Sequence, residues 1–160
     1  MSLRTPELVM ITDLLRNDIG RHAETGSVQV NALCALESFS LVHHLVSTVS
    51  ATLHPNSHPI ELLRDAFPGG SITGAPKKRA MEIIAELEPT PRSIYCGAIG
   101  YINADGSLDT NIAIRTLTCH DGQIRAWAGG GITIDSHWED EYQECLNKIG
   151  GLIRALEALR

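Results

Sequence analysis

The chain has 160 residues, with 13 Lys and Arg against 19 Asp and Glu, for a formal net charge of −6. This acidic balance, with a pI of about 5.6, argues against a surface built for nucleic acid or an anionic membrane. An apolar content of 43% and a mean hydropathy of −0.01 describe one soluble globular domain. No apolar run is long enough to span a bilayer and no signal-peptide pattern opens the chain.

The opening Met1-Ser2-Leu3 has the look of an expression leader, which leaves residues 4–160 as the structural unit. Residues 6–19 carry apolar side chains at helical spacing. Residues 28–36 and 41–53 are rich in β-branched side chains and read as strands, although Leu41, Leu45 and Val49 also recur at a helical interval. Pro55 and Pro59 bound a loop. A short helix, HPIELLRDAF, and a longer one, APKKRAMEIIAELE, follow. From residue 94 the texture changes. IYCGAIGYI, SLDTNIAIRTLTCH and QIRAWAGGGITI read as three strands of a meander, with hairpin signals at Ala104-Asp105-Gly106 and His120-Asp121-Gly122. The chain ends in a helix over 137–160. Its apolar stripe is Tyr142, Cys145, Leu146, Ile149, Leu152, Ile153 and Leu156, and Gly150-Gly151 weakens it midway. The predicted fold class is therefore α+β, largely antiparallel strands with packed helices. Cys34, Cys96, Cys119 and Cys145 suggest neither a zinc site nor a disulfide framework, which points to a reducing cytoplasm.

Residues 67–79, FPGGSITGAPKKR, surround a Ser and a Thr with glycine and proline. A glycine-rich turn at a helix N-terminus is a ready anion site. Gly69 and Gly74 have the spacing of a nucleotide phosphate loop, but Ala75 and Pro76 stand where Lys and Ser/Thr must follow. The pattern alone therefore favours a loop-to-helix junction, with Thr73 or Ser71 as cap and Pro76 near the first turn.

Glu141, Glu144 and Lys148 fall on one face of the terminal helix. They read either as a solvated salt-bridge ladder or as a carboxylate pair for a hard cation such as magnesium, with Lys148 as counter-charge for an anionic ligand. Gly129-Gly130-Gly131 is either a bend or a place where a ligand meets bare backbone N–H groups. Alternation along the strand puts Arg115 with Asn111 and Ala113, opposite Ile112 and Ile114. It is then an exposed strand residue or a bidentate carboxylate clamp. Tyr101 is core or a hydroxyl donor, and His44 is most simply a satisfied interior histidine.

Taken in order, LVMITDLLRNDIGR, HHLVSTVSATL, PGGSITGAPKKRAMEIIAELEP, CGAIGYINADGSLDTNIAIRTLT, AGGGIT followed by DS, and EYQECLNK resemble the chorismate-utilising enzymes. That family includes component I of anthranilate synthase and of aminodeoxychorismate synthase, and the isochorismate and salicylate synthases. The likeness runs from about residue 6 to the end. PGGSITGAPK, HHLVS and LLRNDIGR look most like the aminodeoxychorismate group, on the para-aminobenzoate branch of folate synthesis.

The resemblance implies a magnesium-dependent amination of chorismate, with ammonia from a glutamine amidotransferase subunit. The runner-up is anthranilate synthesis, and a non-catalytic chorismate-binding fragment is a third reading. It implies Glu7 and Glu144 as magnesium ligands with Glu141 close by, and Arg115, Tyr101, Gly130 and Gly131 on the enolpyruvyl carboxylate. Lys148 is implied near the ring carboxylate, His44 beside the reacting ring, and Thr73 and Gly74 in the pocket wall. Family members carry a further N-terminal half with a P-I-[K/A]-G-T motif, which this sequence lacks. The expectation is a C-terminal part of the chorismate-binding domain, inactive alone and prone to self-association.

Overall fold

A computed structural model of the chain describes residues 5–39 and 43–159. The leader assigned to residues 1–3, and Leu41 of the ambiguous 41–53 segment, lie outside them. Where length suggests one domain, the backbone divides into two compact units. The first runs to Pro89 and takes in Asn103–Leu108; the second takes Thr90–Ile102 and the chain from Asp109 onward.

The first unit opens with α1 (Thr5–Gly20) and a hairpin of β1 (Gln29–Ser38) and β2 (His43–Ser50). The strands pair antiparallel, from Gln29 opposite Ser50 to Ser38 opposite His43. The second predicted segment is thus a strand, because β-branched content outweighs a four-residue apolar interval. The register shifts between Val30 and Ala32 and again between Ala32 and Ala35. Cys34 sits in the second irregularity with φ 51°. Its N–H, taken out of the ladder, donates to Ser47 Oγ at 3.0 Å, as a bulge requires.

Next come α2 (Pro59–Ala66), the single turn α3 (Gly70–Thr73) and α4 (Lys77–Leu87). A capping box starts α2: the His58 ring accepts from the Ile60 N–H, and the His58 N–H donates to Glu61. Pro76 is the N-cap of α4, which has no side-chain cap. Thr73 is no cap either, since its hydroxyl donates back to the Gly69 carbonyl at 3.2 Å. The glycine-rich segment is held by other means. A Cβ on Gly70 would lie 2.5 Å from Leu14 Cδ1, so the bare backbone lets α3 close on α1. Lys77 Nζ donates to Asp18 Oδ2 at 2.8 Å and to the Ala66 carbonyl at 3.0 Å. Asp18 is buried and the Lys77 side chain is 22% exposed. One ammonium thus ties together α1, the end of α2 and the start of α4. Nearby, His22 Nε2 meets Asp65 Oδ2 at 2.9 Å. The Arg64 guanidinium first, and then His22, holds the Asp65 carboxyl down at about 2.

In the second unit the expected three-stranded meander is two separate hairpins. β3 (Ala98–Ile102) pairs with β4 (Leu108–Ile112), and β5 (Leu117–His120) with β6 (Gln123–Ala126). Both turns are where the glycines predict them. Asp121 and Gly122 have φ 50° and 69°, the geometry of a two-residue hairpin. The long strand expected over 107–120 breaks at residues 113–116. The Ile114 N–H folds back to the Ile112 carbonyl, and Arg115 adopts φ 50°. Alternation fails there: Ala113 is 2% exposed while Ile112 and Ile114 stay exposed. No strand extends over 127–134. The terminal helix α5 (Trp138–Glu157) continues unbroken through Gly150-Gly151.

Among the described residues Ala113 is the one buried apolar side chain. Leu36, Ile132, Ile134 and Trp138 are all strongly exposed.

Replacing Lys77 by Met should destabilise the first unit, because it leaves the buried Asp18 carboxylate without its cation. The loss should be about 3 kcal/mol, at the low end for a broken buried pair since Lys77 keeps some water. Urea unfolding of K77M, and of K77M with Asp18→Leu, checks this. The double variant should regain most of the loss.

Candidate active site

In the second unit Glu141, Glu144 and Lys148 stand along the first three turns of α5. Its inward face is Glu141, Cys145, Lys148, Ile149, Leu152 and Leu156. This face lies roughly 50° around the helix from the centre of the predicted apolar stripe, at about 100° per residue. Tyr142, Leu146 and Ile153 are accordingly exposed.

Glu141 is 8% exposed. Ser136 Oγ donates to its Oε1 at 2.6 Å. Its Oε2 lies 2.9 Å from where a Cβ on Gly130 would stand, with Lys148 Nζ 4.0 Å from the same point. Gly129 is crowded in the same way by the Tyr95 hydroxyl, also at 2.9 Å. At these two glycines the groups approaching the bare backbone are the chain's own carboxylate and phenol. Burial chiefly, with Cys96 adding to it, pushes the Tyr95 phenol up to about 12.

Glu144 and Lys148 form the predicted i, i+4 pair at 2.7 Å. Lys148 Nζ also donates to the Gly129 carbonyl at 3.0 Å. The expected ladder therefore has two members, and the third, Glu141, turns inward. Lys148 lines a small open cleft with Tyr95, Ile114, Arg115, Trp127 and Gly129. Arg115 reaches it from the kinked segment, not from a strand face. A cleft with an aromatic wall and two cations from different elements suits a small ring that carries carboxylates.

The other predicted residues stand elsewhere. Tyr101 is on β3 and 60% exposed, so it is not core. Gly131 adjoins Gly130 in the same segment. His44 is an exposed residue of β2 opposite Glu37, with its ring edge-on to Phe39 at 5.8 Å, and is not an interior histidine. In the first unit, Glu7 is half-buried on α1, Thr73 ends α3, and Gly74 follows with φ 114°. Sequence reasoning missed Ser136, Tyr95 and Trp127. Ser136 carried a signal, because a serine just before a helix with acids in its first turn is a favoured bonding position. Tyr95 and Trp127 carried none that separates them from packing residues.

Residues 5–154 match the family described as chorismate binding enzyme. The chain is 58% identical over 151 residues to aminodeoxychorismate synthase component 1 of Escherichia coli (strain K12), covering 94% of this chain and 33% of that protein. It is 49% identical over 150 residues to anthranilate synthase component 1 of Bacillus subtilis (strain 168), covering 94% and 29%. Among solved structures, anthranilate synthase component I from Streptococcus pneumoniae TIGR4 superposes with a TM-score of 0.85 at 46% identity, covering 90% of this chain and 33% of that one. The chain thus spans about a third of the length of the relatives it matches. Over that span sequence and backbone agree, and the chain belongs to the chorismate binding enzyme family.

Proposed function

We propose that this chain forms part of an enzyme that converts chorismate to 4-amino-4-deoxychorismate, with magnesium and with ammonia from a glutamine amidotransferase partner. The observation that carries the reading is the cleft of the second unit. There Arg115 and Lys148, from separate elements, line one opening beside Tyr95 and Trp127. Chorismate is a small ring with two carboxylates, and two cations on one cleft match its charge. The higher identity to the aminodeoxychorismate relative favours the 4-amino product. Anthranilate synthesis is the second reading, supported by the backbone likeness to an anthranilate synthase component I.

Magnesium takes oxygen ligands and often keeps only one or two carboxylates, with water and substrate completing the shell. Glu144 suits this, with a partly exposed carboxylate whose partner is Lys148 one turn away. Glu141 suits it as a neighbour whose orientation Ser136 sets. Among the described residues no three acidic, His or Cys side chains converge. The family likeness, and not a preformed cluster, is therefore what supports Glu7 and Glu144 as the ligands with Glu141 close by. When bound, the ion supplies Lewis acidity at the ring carboxylate and fixes the ring.

In the reaction the C4–O bond breaks, a C4–N bond forms to ammonia, and hydroxide leaves with a proton as water. The enolpyruvyl group stays in place. Arg115 is assigned a two-bond grip on the enolpyruvyl carboxylate, helped by the Tyr101 hydroxyl and the Gly130 and Gly131 N–H groups. Lys148 is assigned to the ring carboxylate, and His44 to proton transfer at the ring. Thr73 and Gly74 are assigned to the pocket wall. Among the described residues no helix is long and apolar enough to cross a membrane, and the reading requires no membrane or nucleic-acid partner.

Four outcomes test the reading. In the full-length parent, Glu144→Gln should lower turnover at saturating magnesium on the order of 100-fold, the upper end of what losing a ligand's hydrogen-bond partner costs. Turnover within a few-fold of wild type would remove Glu144 from the metal site. Arg115→Lys keeps the charge but not the planar fork, and should raise KM for chorismate about tenfold, the worth of one charged hydrogen bond. Unchanged kinetics would make Arg115 a surface residue. The 160 residues alone should give neither amino product from chorismate, ammonia and magnesium, because positioning between elements supplies much of the rate. They should also sediment as dimers or larger species, given the exposed apolar side chains. Steady product formation by the isolated chain would overturn the first expectation, and a clean monomer the second.

A further inference from the structure

We infer that Ser136 is a positioning residue for the proposed reaction, which it serves by fixing the Glu141 carboxylate. The inference rests on the reading of Glu141 as part of the magnesium site. Its physical basis is a directed relay. The Thr133 N–H donates to Ser136 Oγ at 3.0 Å, and the Ser136 N–H donates back to the Thr133 carbonyl at 3.1 Å. With a backbone donor occupying the serine oxygen, its single proton points to Glu141 Oε1 at 2.6 Å. A short bond from hydroxyl to carboxylate is among the stronger neutral-to-ion contacts.

Two features separate this from an ordinary turn before a helix. First, the N-cap of α5, His137, makes no side-chain cap bond, and the Ser136 hydroxyl still bonds a side-chain carboxylate. Ser136 stands one residue before that cap, outside the position whose side chain ordinarily bonds the first helical amides. Second, Glu141 is confined from its other oxygen as well. Oε2 lies against the Gly130 backbone, where any Cβ would collide with it. Glutamate has high rotamer entropy, and a carboxylate met already oriented does not lose that freedom again on binding an ion. The turn from Thr133 to Ser136 and the bare backbone at Gly130 together preset where the negative charge stands.

The test uses the full-length parent, with magnesium chloride as the probe. Magnesium binding is measured by calorimetry without chorismate, and the magnesium concentration for half-maximal turnover is measured with it. Ser136→Ala should weaken both by about 10- to 100-fold, the usual loss when a ligand's outer partner is removed. Turnover at saturating magnesium should recover most of its wild-type value, and the thermal midpoint should hold. Ser136→Thr, which keeps the hydroxyl, should restore affinity to within a few-fold. Wild-type magnesium affinity in S136A, with Glu141→Gln impaired, would overturn the role of Ser136 and leave the metal reading standing. Equal loss in S136A and S136T with a lowered thermal midpoint would make the serine merely structural and also overturn it. If Glu141→Gln itself binds magnesium and turns over normally, the metal reading fails and the inference fails with it.

Discussion

A carboxylate taken out of water must be held by donors, and Glu141 is the group on which the second unit turns. It is 8% exposed in the first turn of α5, where the helix dipole favours negative charge. Burying it fixes the roll of α5. With Glu141 and Lys148 facing in, the helix cannot also bury Tyr142, Leu146 and Ile153, which remain outside. The same constraint governs the glycine triplet. Gly130 lies where a side chain would strike the Glu141 carboxylate, and Gly129 where one would strike the Tyr95 hydroxyl. Lys148 can then reach the Gly129 carbonyl and Glu144 together. The cleft with Arg115 lies alongside.

The first unit solves a related problem with the opposite sign. The glycine-rich stretch looks like a phosphate cradle because it has bare backbone and a following basic cluster. Its first lysine is already engaged, since Lys77 holds Asp18 and the Ala66 carbonyl. Gly70 brings the turn within reach by letting Leu14 approach. The segment is therefore a joint between helices, and its glycines serve close packing. Pairs of this kind define an arrangement more than they deepen its stability, because desolvation offsets most of the attraction.

The units differ from an ordinary domain in how little they bury. Ala113 is the single buried apolar residue among those described, while Ile132, Ile134 and Leu87 are largely exposed. A chain of this length can build a sizeable core. The exposed faces accord with the proposal that activity belongs to a longer parent, as does the one-third coverage of the relatives. Large apolar area in water favours association.

Local chemistry was legible in the sequence. The β-branched runs gave β1 and β2, the Asp121-Gly122 turn gave the β5–β6 hairpin, and helical spacing gave α1, α4 and α5. The ordered strings also carried the family. Each of these signals acts over a few residues, through steric preference or period. What the sequence left undecided depends on how the elements pack, even where the bonded groups are near neighbours in the chain. Periodicity predicted a continuous strand through Arg115, but the chain folds back at Ile114 and buries Ala113 in place of the isoleucines. Hydropathy set the stripe of α5 by its leucines and Tyr142, whereas the fold set it by a carboxylate bonded to Ser136. Hydropathy scores a carboxylate as exposed because an unpartnered one belongs in water. The hydroxyl that lets it leave water is only five residues away, but only the folded structure seats the carboxylate between it and the bare backbone at Gly130.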